Sequence, residues 1–190
     1  MSDIIVFDIE TKETFDEVGG YHPQKLTPSV VGLYSFDKDE LRCFEESEFG
    51  QMWPYFDNAG LIVGFNSDHF DIPILAKLYP PLKDIQSLDM LAEIKNSAGH
   101  RVKLDSVAEA TLGSNKTADG LEAINMFREG RIQELKDYCN TDVAITRDIY
   151  KFGLENRYIL VTSFSGPKKI PINFKRETKV NDARPLSLGL

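Results

Sequence analysis

The sequence predicts an α/β fold in three layers, with a mixed five-stranded sheet between helices and a C-terminal hairpin. Three observations carry that expectation. Short runs of β-branched and aromatic residues, bounded by turn signals, fill the first half of the chain. From residue 88 onward the apolar residues recur at helical spacing instead. Between the third and fourth apolar runs lies a helix-length segment, so the fourth strand can return parallel to the first through a crossover. Strands and helices arranged in this order favour a layered α/β architecture.

The elements follow in order. Ile4 to Phe7 form a continuous apolar run, the pattern of a strand buried on both faces. "GGYHPQKLTP" is a turn-rich loop, and "SVVGLYSF" and "LRCFE", joined by "DKDE", complete an antiparallel meander of three strands. "FGQMWPYFDNAG" reads as a short helix interrupted by Pro54, "LIVGFN" as the fourth strand, "DIPILAKLYP" as helix and "DIQSLD" as a short fifth strand. "LDMLAEIKNSAG" has apolar positions at Leu88, Leu91 and Ile94 and stops at Gly99, while "SVAEATLG" ends at Gly113. "GSNKTADG" is a loop, "LEAINMFREG" a short helix, and residues 131–157 a long one. "RYILVTSF" and "KKIPINF" form the hairpin, with Pro171 suited to an edge. Residues 1–174 are expected to form one domain, and 175–190 a basic, mobile tail.

Composition narrows the function classes. No stretch approaches the roughly 18 apolar residues of a membrane span, and "MSDIIVFDIE" lacks the basic start and apolar run of a signal peptide. A cytoplasmic protein without a membrane partner is expected. Cys43 and Cys139 have neither CxxC spacing nor histidines at zinc-ligand intervals, so reduced cysteines are expected. A net charge of −8 argues against non-specific nucleic-acid binding. That charge is unevenly spread: residues 164–190 carry +4, either a solvated arm or a contact for phosphates.

Chemistry enters at the end of the first strand. In "FDIET", Asp8 and Glu10 are two apart and share a face, about 6 to 7 Å from each other along the chain. At ~6 Å and an effective dielectric of about 20, two like charges repel by roughly 3 kcal/mol. The pair is either a polar strand end entering a loop or one side of a site for a hard cation. Asp71 follows the fourth strand in "GFNSDHFDIPIL", with Pro73 two residues on. It reads as a helix N-cap, or as a third carboxylate if the first and fourth strands are neighbours. On the long helix, Leu135, Tyr138, Asp142 and Ile145 share a stripe, where Asp142 either faces solvent at the edge or, if buried, wants a cation. Together Asp8, Glu10, Asp71 and Asp142 form an oxygen-only set that favours Mg²⁺ or Mn²⁺. Four carboxylates suit two ions acting on a phosphodiester.

"FDIET", "GFNSDHFDIPIL" and "YCNTD" resemble, in order and spacing, the three exonuclease motifs of the DEDD superfamily. The resemblance is closest to the proofreading domains of family B DNA polymerases and to stand-alone proteins like them. It implies an RNase H-like (DnaQ-like) fold, two Mg²⁺ or Mn²⁺ ions, and release of 5′-mononucleotides from 3′ ends. By motif position Asp8 would bridge both metals, Glu10 and Asp142 would hold the nucleophile-side ion, and Asp71 would act on the other. Tyr138 would orient the attacking water. The histidine subtype needs His five residues before the last Asp, where this chain has Asp137, so the tyrosine subtype is implied. Substrate contacts are implied for Ile9, Thr11, Asn66 and Phe70, and Lys116 could approach a backbone phosphate. Each of these has a plain structural alternative: strand-end hydroxyl, turn residue, core packing or solvated loop lysine. A proofreading-type fold without a polymerase's other domains is expected in these 190 residues.

The expected activity is therefore 3′–5′ exonuclease on single-stranded DNA, with RNA as the alternative substrate and replication or repair as the setting. A second alternative is a non-catalytic scaffold that recruits a helicase or polymerase through the basic tail.

Overall fold

In the computed structural model, residues 2–114, 120–162 and 166–176 are described. The first apolar run becomes β1, Asp3–Thr11, at the centre of a five-stranded sheet of order β3-β2-β1-β4-β5. β2 (Pro28–Ser35) and β3 (Glu40–Glu45) are the expected meander, and β1 pairs antiparallel with β2. β4 (Ala59–Gly64) returns parallel to β1, and β5 (Ser87–Asp89) parallel to β4, so the sheet is mixed.

Alternation along β1 separates two cores. Ile5, Phe7 and Ile9 point into a cluster with Phe49, Met52 and Phe56 of α1 (Phe49–Asp57) and Ile74 and Leu75 of α2 (Asp71–Leu75). Val6 belongs to the opposite cluster. There it meets Met90 and Ile94 of α3 (Met90–Ala98), Val107 of α4 (Leu104–Leu112), and Val143 and Ile149 of α6 (Ile132–Asn156). These are the three layers. α5 (Gly120–Arg128) is seated with the start of α6 on Val30 through Ala123, Met126, Leu135 and Cys139.

β6 (Tyr158–Val161) and β7 (Lys168–Pro171) form the hairpin as a separate two-stranded sheet. After it the chain still packs: Phe174 is buried against α6, where its ring fills the space a Cβ on Gly153 would take. Arg176 pairs with Glu93. Residues 177–190, most of the expected mobile tail, lie outside the described residues, as does Lys116.

Two expectations are revised. α1 runs unbroken through Pro54, giving up only the hydrogen bond that proline cannot donate. The helix expected over residues 71–80 ends at Leu75 and gives way to turns and a 3₁₀ segment, Pro80–Asp84. Tyr79 precedes Pro80 and is held at φ −139°, ψ 82°, because the proline ring disfavours a helical residue before it.

Candidate metal centre

Asp8 and Glu10 lie on the same face of β1 as Val6, the face that α6 covers. The register across the sheet places Asp8 opposite Gly32, and Gly32 opposite Cys43. Gly32 is what lets α6 come close: a Cβ there would lie 2.8 Å from Val143 Cγ2 and 2.9 Å from Cys139 Sγ. With no side chain in the way, the Cys139 thiol reaches the Asp8 carbonyl at 3.6 Å and hydrogen-bonds Cys43. Both cysteines are free of a disulfide.

This close approach brings the next residues of α6 over the strand end. Asp142, one helical turn from Cys139, joins Asp8 and Glu10, and ligand oxygens of all three lie within 4.8 Å of one another. Glu10 is 8% exposed; Asp8 and Asp142 are partly buried. Burial raises the Asp8 carboxyl well above its ordinary range, and the charges of Asp71, Glu10 and Asp142 push it the same way. Glu10 is raised by burial and then by Asp142 and Asp71. Carboxyls raised by burial and by one another, in a cluster that offers only carboxylate oxygens, fit hard divalent cations. Tyr138 donates its hydroxyl hydrogen bond to Asp142. Burial and the three carboxylates raise its pKa, so it remains a donor.

Asp71 occupies a different place from the other three. It is the first residue of α2, with Phe70 in the cap position, so it is not the N-cap that its sequence setting suggests. It is 2% exposed and accepts the backbone N–H of Ile9 at 3.2 Å, between Asp8 and Glu10 in sequence. It does not belong to the mutually close triplet, yet after burial its charge acts most strongly on Asp8. Burial lifts its own pKa to about 7, offset in part by its own N–H and that of Ile9.

The residues expected to touch substrate fall into distinct places. The Ile9 side chain is buried in the core on the far face of β1, and only its backbone meets the site through Asp71. Thr11 donates to the Glu13 carbonyl at 3.0 Å. Thr11 and Phe70 line a cavity of about 460 Å³ that opens beside Glu10. Phe15, Leu26, Leu121 and Ile124 give it apolar walls, Glu13 and Thr14 add polar groups, and Phe15 meets Phe70 edge-on at 5.9 Å. Asn66 sits at φ 69°, with its side-chain oxygen on Arg101 at 2.8 Å. Sequence reasoning missed Gly32 and the α5 wall of Leu121 and Ile124. A glycine inside an apolar strand was the available signal for the first, since it marks a close backbone approach.

Residues 5–152 match the profile of the RNase H superfamily, and the chain belongs to that family. Its members are typically nucleases that use divalent metals. A solved structure of the family B DNA polymerase from the hyperthermophilic archaeon Pyrobaculum calidifontis superposes with a TM-score of 0.62 at 19% identity. That match covers 81% of this chain and 25% of the polymerase, so the chain spans about a quarter of the polymerase's length. The likeness is one of fold. No curated protein matches the sequence. Among the described residues no helix is long and apolar enough to cross a membrane.

Proposed function

We propose that this chain is a metal-dependent 3′–5′ exonuclease of the tyrosine subtype, acting on single-stranded DNA and releasing 5′-mononucleotides. The observation that carries the reading is the triplet of Asp8, Glu10 and Asp142, its oxygens within 4.8 Å of one another, beside an apolar cavity large enough for one nucleoside. Two Mg²⁺ or Mn²⁺ ions, held by these three and Asp71, would supply the charge that activates water and stabilises the leaving 3′-oxygen.

The chain's own residues do the rest. β1 is paired with β4 up to Val6 and with β2 beyond it, opposite Asp8 and Glu10, and rigid support of this kind is what a precise site needs. Tyr138 keeps its proton and presents a donor at the carboxylates, where it can orient the attacking water. The apolar cavity receives the terminal base and sugar, with Phe70 available for stacking. Its lining is mostly apolar, so it selects an unstacked end over a particular base. Pairing in a duplex would hold that nucleotide out of the cavity, which favours single strands.

The scaffold reading is weaker, because carboxylates crowded at a strand end without cations would only cost stability. RNA remains the rival substrate. A time course on matched 5′-labelled DNA and RNA strands, with Mg²⁺, Mn²⁺ or EDTA, tests the proposal. A metal-dependent ladder shortening from the 3′ end on DNA is expected. A faster ladder on RNA would move the assignment to exoribonuclease, and intact strands under every condition would overturn it.

A further inference from the structure

The loop between β4 and α2 separates two cavities of opposite character. Phe70 lines the apolar one beside Glu10. Its neighbour His69 lines a polar cavity of about 140 Å³ together with Asn66, Asp89, Lys95 and Arg101. The α3 helix ends at Gly99, in the left-handed region at φ 81°, and the reversal brings Arg101 to the same cavity as Lys95.

Charge sets this place apart. Several cations near the acidic centre are tied to carboxylates, Lys12 to Glu46, Arg128 to Glu17, and Lys136 to Glu45 and Glu48, while Lys25 and Lys77 are held by backbone carbonyls. Lys95 and Arg101 make no ion pair among the described residues. The one carboxylate lining the cavity, Asp89, is 4% exposed and already accepts backbone N–H groups of Asn66 at 2.9 Å, Ala92 at 3.2 Å and Asp68 at 3.3 Å. Asp89 thus holds the floor, while the two cations face outward without a counter-charge. Asp68 stands near Asp89 outside the lining. In a chain of net charge −8, two free cations converging on a polar hollow make an anion site.

We propose that this cavity is a phosphodiester subsite for the strand upstream of the scissile bond, an inference that rests on the exonuclease reading. A strand whose 3′ nucleotide fills the apolar cavity can cross the 65–70 loop, laying backbone phosphate against Arg101 and Lys95. The guanidinium fork suits phosphate oxygens, and Lys95 adds a point charge. Arg101 also holds the Asn66 side chain, so the subsite and the loop that carries Asp71 are joined by one hydrogen bond.

The test is the salt dependence of binding of a 5′-fluorescein-labelled oligothymidylate of about ten nucleotides, by anisotropy with Ca²⁺ present. Each lost phosphate contact should flatten the log–log slope by about 0.7. A Lys95→Gln/Arg101→Gln double variant should therefore lose about 1.4 from the slope and bind about tenfold more weakly at low salt. Arg101→Lys should restore part of the slope, which a purely structural role for Arg101 would not do. Identical slopes in wild type and double variant would overturn the subsite. Cleavage of the same strand by wild type with Mn²⁺ keeps the two ideas apart. Cleavage with identical slopes removes only the subsite, whereas neither cleavage nor binding by wild type removes both.

Discussion

Replacing Gly32 with alanine should damage both stability and catalysis, because this one position sets how closely α6 approaches the sheet. The added Cβ would lie 2.8 Å from Val143 Cγ2 and 2.9 Å from Cys139 Sγ. Apolar contacts settle near about 3.5 to 4.0 Å, so helix and strand must part by roughly 0.7 Å or more. Val143 is β-branched and fully buried, and Cys139 is fully buried, so neither can turn aside cheaply. Overpacking of this kind costs about 1 to 3 kcal/mol. The same movement carries Tyr138 and Asp142 away from Asp8 and Glu10. A misplacement near 1 Å can cost about 10²-fold in rate, so a loss of at least tenfold in single-turnover 3′-end cleavage is expected. Urea unfolding of the metal-free protein measures the first effect and labelled-strand cleavage the second. A variant as stable and as active as wild type would refute the argument that Gly32 positions the helix.

Three further outcomes follow from the same structure. In the metal-free protein burial pushes the Asp71 carboxyl up to about 7, from 3.8 for a free carboxyl, so the native state retains a proton that the unfolded chain releases. Its contribution to stability is complete in acid, falls as pH rises through about 4 to 7, and amounts to at most about 4 kcal/mol. Asp71→Asn should therefore gain stability over wild type as pH rises from 5 to 8, and Mn²⁺ should raise the wild-type melting temperature more at pH 8 than at pH 5. A pH-independent difference between the two proteins would contradict this. Asp142→Ala should abolish cleavage while Tyr138→Phe leaves a residual rate, about 10²-fold down, since it removes a donor and spares the carboxylates; equal rates in a single-turnover assay would count against these roles. Phe174→Ala should destabilise by about 3 to 5 kcal/mol in thermal or urea unfolding, because a 1% exposed ring is removed from the α6 face; an unchanged melting temperature would refute that anchoring.

Much of this was legible in the residues, for physical reasons that differ by element. The apolar runs at Ile4 to Phe7 and Leu61 to Val63 announced strands buried on both faces, and their parallel pairing followed from the helix between them. The acidic triplet was legible because strand and helix periods place Asp8, Glu10 and Asp142 on definite faces. Asp71 was harder. A carboxylate just before Ile72-Pro73 looks like a cap, and only the tertiary contact with the Ile9 N–H gives it another partner. The α5 wall of the apolar cavity was out of reach, since nothing local says which strand end Leu121 and Ile124 will face. The polar cavity was hidden for the same reason: His69, Lys95 and Arg101 meet only after the chain turns back at Gly99.

Asp8, Glu10 and Asp142 are proposed to form a metal centre that cuts strands from the 3′ end. The most direct measurement is Mn²⁺ titration of cleavage on a 5′-labelled single strand, run in parallel for wild type and Asp142→Asn. A ladder from the 3′ end that saturates with Mn²⁺ in wild type and is absent in the variant is expected. Equal ladders in both proteins, or an intact strand with wild type at every Mn²⁺ concentration, would contradict it.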